Sequence, residues 1–238
     1  MFQVNYLFVL TGETIKNNRL ILKETSDGSH TLYVPGIDEH YHSMNGAAGE
    51  SIHIFINSGL NSLPGEKISL FEVGFGTGLN AFLTAIYCEK QGKRVHYTTI
   101  EKYPLEKDDW SQLNYPYLFD GKYSELFIKL HEAEWESDQE ISEWFTLRKL
   151  KADLLNYDPE GLFDLVYFDA FGPEKQPGMW TEEIITKVAS AISNGGIFVT
   201  YSARGSLRRA LQSCGFATER LPGPPGKREF TRATRNTV

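Results

Sequence analysis

Cysteine is nearly absent: Cys88 and Cys214 are the only two, far apart and in no metal-ligand spacing. That scarcity excludes a disulfide framework and a cysteine-ligated zinc site, and it points to a reducing, cytoplasmic setting. No apolar run approaches the roughly 20 residues needed to span a bilayer, so no membrane association is expected. The opening MFQVNYLFVLTGE has neither a basic n-region nor a small-residue cleavage site, and does not read as a signal peptide. Phosphate-binding P-loops, Ser/His/Asp arrangements and His/Cys/Asp/Glu ligand spacings are missing too. Most hydrolase readings fall away, and no metal is expected. What is present has ordinary globular proportions, 41% hydrophobic and 23% charged over 238 residues. That suits one large domain or two small ones, and not a disordered or fibrous chain.

The net charge of −7 conceals an asymmetry. Residues 200–238 hold eight Lys/Arg against Glu219 and Glu229, a net of +6, which leaves 16 basic and 29 acidic groups, −13, in the rest. Glu132, Glu134, Glu136, Asp138, Glu140 and Glu143 form an acidic run with no Lys or Arg between them. An acidic body with one cationic end can bind a polyanion that the average charge would repel.

Residues 1–60 read as an N-terminal appendage. The β-rich runs at 19–23 and 30–34 flank Ser26-Asp27-Gly28, a hairpin signal, and 45–60 is spaced as a helix ended by Gly59. From 61 to 238 the rhythm changes. Strand candidates at 68–73, 94–101, 144–153, 161–171 and 196–203 alternate with helix candidates at 79–92, 181–196 and 206–216. Two more strand candidates flank PGPPGKRE. Thr181 reads as a capping-box start and Gly195-Gly196 as a stop. The stretch 104–147 reads as a mostly helical insert. Strands alternating with helices imply an α/β fold with a mostly parallel sheet covered on both faces.

The chemistry concentrates at E-V-G-F-G-T-G, residues 72–78, where a strand hands over to a helix. Gly74, Gly76 and Gly78 permit a turn of unusual backbone angles and close approach of a ligand to the main chain. A dinucleotide fingerprint would need its third glycine at Leu79. Alternating glycines after an acidic residue favour a ligand without pyrophosphate, usually S-adenosylmethionine (SAM). Glu101, at the end of the second strand, is placed to accept both ribose hydroxyls, and Asp153, after the third, to meet the adenine amino group. Asp169 ends the fourth strand in V-Y-F-D-A-F-G-P. It is the candidate catalytic residue, positioning a nucleophilic amine or taking its proton, with Pro173, Pro177 and Trp180 as a stiff rim.

These blocks resemble a family. F-E-V-G-F-G-T-G-L-N (71–80), I-E-K-Y-P-L (100–105), D-A-F-G-P-E-K-Q-P-G-M-W-T (169–181), the Leu207-Arg208-Arg209 segment and G-K-R-E (226–229) resemble the tRNA 5-methylaminomethyl-2-thiouridine methyltransferases. These are the methyltransferase half of MnmC and the stand-alone MnmD type. The resemblance implies a class I SAM-dependent, Rossmann-like fold and methylation of the 5-aminomethyl group of 5-aminomethyl-2-thiouridine at tRNA wobble position 34. It implies SAM as the methyl donor, neither FAD nor metal in this chain, and a functional partnership with the enzymes that install the aminomethyl group. SAM would be held by Glu72, Gly74, Phe75, Gly76, Thr77, Gly78, Asn80, Glu101, Lys102, Asp153 and Asp169. The tRNA would meet Arg204, Arg208, Arg209, Lys227 and Arg228, with Tyr41, His40, His42 or Trp180 stacking on the splayed uridine. Three other readings stay open. An aminopropyltransferase of the spermidine synthase type shares the glycine turn and both acids, but the cationic C-terminal end disfavours it. Leu79 disfavours a nicotinamide oxidoreductase. A non-catalytic RNA-binding subunit would keep the fold without turnover.

Overall fold

The computed structural model describes residues 19–237. The expectations about MFQVNYLFVLTGE, and about the first part of the 1–60 unit, lie outside the described residues. β1 (Ile21–Glu24) and β2 (His30–Val34) form the expected hairpin, and the two-residue β3 (Glu39–His40) pairs antiparallel with β2. Asp27 organises the turn: its Oδ1 accepts Ser29 N–H at 3.0 Å, and its Oδ2 accepts Gly49 N–H at 2.8 Å, tying the hairpin to the next helix. That helix begins as α1 (Ala47–Ser51) and widens into a π-helical turn, Ile52–Asn57, before Gly59. A Cβ at Gly59 would lie 2.4 Å from the Phe55 carbonyl oxygen, so only glycine fits there.

The main sheet is assembled from β4 (Lys67–Val73), β5 (Arg94–Ile100), β6 (Asp138–Ser142), β7 (Phe145–Leu150), β8 (Phe163–Phe168), β9 (Ile192–Thr200), β10 (Phe216–Pro222) and β11 (Glu229–Arg235). Its order is β10-β11-β9-β8-β4-β5-β7-β6. The five central strands are parallel; β6 and β11 run against them, and the edge strand β10 pairs antiparallel with β11. Both faces are apolar, as a covered parallel sheet requires. Ile68 and Leu70 of β4 face a core with α1, α2 (Leu79–Gln91) and α4 (Ser124–Glu132), whereas Phe71 and Val73 face the core of α5 (Glu182–Ser190) and α6 (Gly205–Ser213). The chain leaves β4 toward β5 and β7, then returns to place β8 on the other side of β4. The carboxyl ends of β4 and β8 therefore flank the point where an α/β sheet reverses its strand order, the usual seat of a ligand.

Two local expectations are corrected. The helix foreseen over 181–196 stops at Ser190, and the strand foreseen from 196 starts at Ile192. Thr181 does cap the helix, accepting Ile184 N–H at 3.3 Å. Gly196 is not a helix stop; it sits in an irregularity of the β8–β9 ladder, where a Cβ would come within 2.6 Å of the Ile192 side chain. The 104–147 stretch holds α3 (Lys107–Trp110), a 3-10 turn at Tyr115–Phe119 and α4, but its acidic end is the edge strand β6, not helix. Charge suits an edge, because it discourages pairing with another chain. Asp138 there approaches His96 at 3.3 Å, and Glu143 approaches Arg94 at 3.2 Å.

Candidate active site

A cavity of about 990 Å³ opens along the carboxyl edge of the parallel strands. Its two ends are built differently.

One end is made by the turn after β4. Gly74, Gly76 and Gly78 have φ of 92°, 50° and 71°, the left-handed region that side chains disfavour. A Cβ on Gly74 would lie 2.9 Å from the Asp169 carbonyl oxygen, and one on Gly76 would lie 3.0 Å from the Tyr41 ring. The turn thus needs glycine both for its angles and for its neighbours. Glu101, one residue beyond β5, accepts Gly76 N–H on Oε2 at 3.1 Å and Tyr103 N–H on Oε1 at 2.8 Å. Burial raises its pKa above the ordinary carboxylate range, opposed by those backbone donors. The Lys102 N–H also acts on this carboxylate, whose two oxygens can accept further hydroxyl donors from the cavity side. Asp153 accepts Leu155 N–H at 3.1 Å and pairs with Lys102 at 2.8 Å. Both line the cavity beside apolar Ile100, Ala152, Leu154 and Met179. Phe75 and Thr77 line it as well.

Lys149, which the sequence did not flag, braces this end from behind. It is buried on β7, donates to the carbonyls of Leu130 (3.0 Å) and His131 (2.7 Å), and lies 4.8 Å from the Trp135 ring and 5.5 Å from that of Phe75. Its ammonium caps the C-terminus of α4, while burial lowers its pKa to about 8.

The other end is made of side chains. Asp169, just past β8, accepts Asn80 Nδ2 at 2.7 Å and faces the cavity. Burial pushes its pKa up to about 7; the Asn80 bond and the Lys227 charge pull it down, while the Glu50 charge pushes it up. A Cβ on Gly172 would have Glu174 Oε2 at 3.6 Å, Glu39 Oε2 at 3.8 Å and the Tyr201 hydroxyl at 3.9 Å, so three oxygens converge beside that glycine. The Tyr201 hydroxyl donates to the Ala170 carbonyl at 2.8 Å. Glu174 pairs with Arg204, and Glu50 pairs with Lys227 at 2.7 Å.

Several of the sequence-predicted residues lie elsewhere. Glu72 and Gly78 do not reach the cavity wall. Glu72 is buried within β4 and accepts Thr99 Oγ1 on Oε2 at 2.8 Å, while its Oε1 is buried without a hydrogen-bond partner. Burial, with the Asp169 charge adding to it, raises its pKa to about 8, so at neutral pH it carries a proton. As an acid it can donate to Asn80 Oδ1, which has no other partner, and so orient the amide that bonds Asp169. Gly78 opens the left-handed start of α2 and leaves room for His131, whose ring a Cβ there would meet at 2.9 Å. Trp180 is not a stacking platform on the cavity: it borders a separate small cleft and braces the 169–177 loop, donating to the Phe171 carbonyl at 2.8 Å. Arg208 turns inward to the Ala203 carbonyl, and Arg208 and Arg209 lie off the cavity, whereas Arg204, Lys227 and Arg228 line it. Tyr41, His40 and His42 line it too. His42 is held by Thr77 Oγ1 at 2.6 Å, and burial lowers its pKa to about 4, leaving it neutral.

A family model described as S-adenosyl-L-methionine-dependent methyltransferase matches residues 122–236. The tRNA 5-methylaminomethyl-2-thiouridine biosynthesis bifunctional protein MnmC of Pseudomonas entomophila is 30% identical over 206 residues, covering 78% of this chain and 31% of that protein. By these matches the chain is similar to the SAM-dependent methyltransferases of the MnmC type. It spans about a third of the length of the curated relatives it matches. The family's methyl donor fits the glycine cradle and the Glu101 carboxylate. Among solved structures, MNMC2 from Aquifex aeolicus superposes with a TM-score of 0.71 at 24% identity, covering 94% of this chain and 74% of that one. Spermidine synthase from Thermotoga maritima gives 0.54 at 13% identity, over 92% of this chain and 69% of that one. Both likenesses bear on the fold: a class I methyltransferase sheet with a small three-stranded N-terminal sheet.

Sequence reasoning missed Glu39, Glu50, Tyr201 and Lys149. Tyr201 had a signal, since it follows β9 at the carboxyl edge where Asp169 follows β8. Glu39 and Glu50 had none, because they reach the site from the N-terminal segment only through tertiary packing.

Proposed function

We propose that this chain transfers a methyl group from SAM to the aminomethyl nitrogen of 5-aminomethyl-2-thiouridine at tRNA wobble position 34. The observation that carries the reading is the continuity of one cavity. It joins a backbone-built nucleoside cradle at Gly74–Gly76 and Glu101 to the carboxylate of Asp169 on the adjacent strand. When bound, SAM supplies a methyl carbon on a positively charged sulfur, and displacement there calls for neither flavin nor metal. Glu101 would take the ribose hydroxyls, while Asp153 and Lys102, beside the apolar wall, would frame the adenine. Asp169 would receive the proton of the incoming ammonium and hold the nitrogen lone pair in line. Most of the rate would come from that alignment in a dry site. Arg204, Lys227 and Arg228 at the mouth would meet tRNA phosphates, giving salt-sensitive, sequence-independent affinity.

On this reading residues 61–238 are the methyltransferase domain, with an insert at about 104–147, and the 1–60 appendage supplies one wall of the site. The names of the curated MnmC relatives support the nucleoside assignment over the polyamine of an aminopropyltransferase. The reaction belongs in the cytoplasm, downstream of enzymes that install the aminomethyl group. Mass spectrometry of tRNA nucleosides tests it, after incubation with SAM and tRNA bearing 5-aminomethyl-2-thiouridine. The expected result is a gain of one methyl on that nucleoside. No gain there, or aminopropyl transfer from decarboxylated SAM to putrescine, overturns it.

A further inference from the structure

The acceptor end of the cavity already contains an alkylammonium group. Lys227 Nζ lies 4.2 Å from the centroid of the Tyr201 ring and 2.7 Å from Glu50 Oε1. An aromatic face and a carboxylate are what a protein uses to bind an amine cation. The surroundings are anionic beyond the needs of one lysine. Glu50 Oε2 is buried with no hydrogen-bond partner, and a half-satisfied buried carboxylate is costly unless a second donor arrives. Asp169 belongs to the same electrostatic group, its carboxyl sensing both Glu50 and Lys227. Tyr201 is fixed beside it, since its hydroxyl bonds the carbonyl of Ala170, the residue after Asp169. Lys227, by contrast, is carried on the β10–β11 turn, next to the exposed Arg228 at the cavity mouth. A long, flexible side chain on a surface turn can leave at modest cost, whereas Tyr201 and Asp169 follow buried strands.

We infer that Lys227 is an internal stand-in for the substrate amine, occupying an ammonium subsite formed by Glu50 and Tyr201 that the substrate's aminomethyl group takes over when Lys227 swings toward nucleic-acid phosphate. The inference rests on the proposed amine methylation and extends it. Glu50 becomes a positioning residue that holds the ammonium until Asp169 removes its proton, and Lys227 becomes a plug whose release is coupled to RNA arrival. The free protein then binds a bare amine weakly, because its subsite is filled from within; removing the occupant raises apparent affinity by the fraction of time it blocks the site.

The test uses ethylammonium chloride titrated into the full chain saturated with S-adenosylhomocysteine, followed by saturation-transfer NMR. Lys227→Met and, as a second variant, Lys227→Gln should each bind ethylammonium about fivefold or more tightly than the wild type. Adding Glu50→Gln to either should return the affinity to the wild-type value or weaker. If neither Lys227 variant gains affinity, or the gain survives Glu50→Gln, the inference is overturned. On an anticodon stem-loop carrying the aminomethyl nucleoside, Glu50→Gln alone should raise KM about tenfold with kcat within about threefold. A purely structural ion pair would lower thermal stability without that split. Ethylammonium carries no nucleoside, so the two readings fail separately. Ammonium binding without tRNA methylation rejects the tRNA assignment alone, and tRNA methylation without ammonium binding rejects the plug alone.

Discussion

The two ends of the cavity contrast in what makes them. The donor end is main chain: a turn of left-handed glycines, two backbone N–H groups on Glu101, and a strand edge that fixes them. The acceptor end is side chain: Asp169, Tyr201, Glu39, Glu50 and Lys227 come from separate segments and meet only in the folded molecule. A backbone site is rigid and suits a ligand that is always the same. A side-chain site can be altered residue by residue, and it suits the partner that distinguishes one transferase from another.

Substitutions sharpen that contrast, and the largest effect belongs to the acceptor end. Asp169→Ala should lower kcat by about 10²–10⁴ while calorimetry finds SAM binding near wild type. Equal loss of both would place Asp169 at the donor end. Glu101→Ala should do the reverse, weakening SAM by about 10–100-fold, since two hydroxyl bonds to a carboxylate disappear; unchanged SAM affinity would break the division.

Next comes pH. With Asp169 raised to about 7, the proposed role of this carboxylate as a base predicts that activity falls as pH drops through that value. In Asp169→Asn this acid limb should vanish from the residual rate. Glu72 gives a stability signature instead. Its folded-state pKa is raised to about 8 from an ordinary 4.5, so the folded state holds its proton more tightly than the unfolded chain. Glu72 should therefore contribute a loss of stability as pH rises from about 4.5 to 8, opposed below about 6.5 by His42 and His131, whose burial lowers their pKa values. Glu72→Gln, which mimics the protonated acid, should flatten that slope in melts across the range; an unchanged slope would mean that Glu72 is ionised in the folded protein.

The smallest effect concerns RNA. Arg204→Glu with Arg228→Glu should weaken tRNA binding and reduce its log–log salt slope by about one for each phosphate left without its cation. Arg209→Glu, off the cavity, should change the slope less. An equal effect from all three would spread the interface over α6.

The same contrast governs what the sequence revealed. The places of Gly74, Gly76, Glu101 and Asp169 on the cavity wall were legible because each sits at a fixed distance from a strand with a clear apolar pattern, and a parallel sheet brings all strand ends to one edge. Glu72 lies off the cavity wall for a related reason. It precedes the turn in sequence, but the pleat that aims neighbouring strand residues to opposite faces buries it behind Asn80. Trp180 looked like a stacking platform, yet its indole N–H found the Phe171 carbonyl. Charge counting overstated the basic end: Arg220, Arg232 and Arg235 are engaged by Glu229, Glu219 and the carbonyl end of α5. Glu39, Glu50 and Lys149 carry no local pattern, because their partners lie far along the chain. The acidic β6 hid as helix because an edge strand need bury only one residue, Ile141.

The most direct test of the central claim is a crystal structure of the chain with S-adenosylhomocysteine. Both ribose hydroxyls should lie on the Glu101 carboxylate, with the sulfur turned toward Asp169 and Tyr201. A ligand seated away from Gly74–Gly76, or one whose sulfur points from Asp169 toward solvent, would contradict the account.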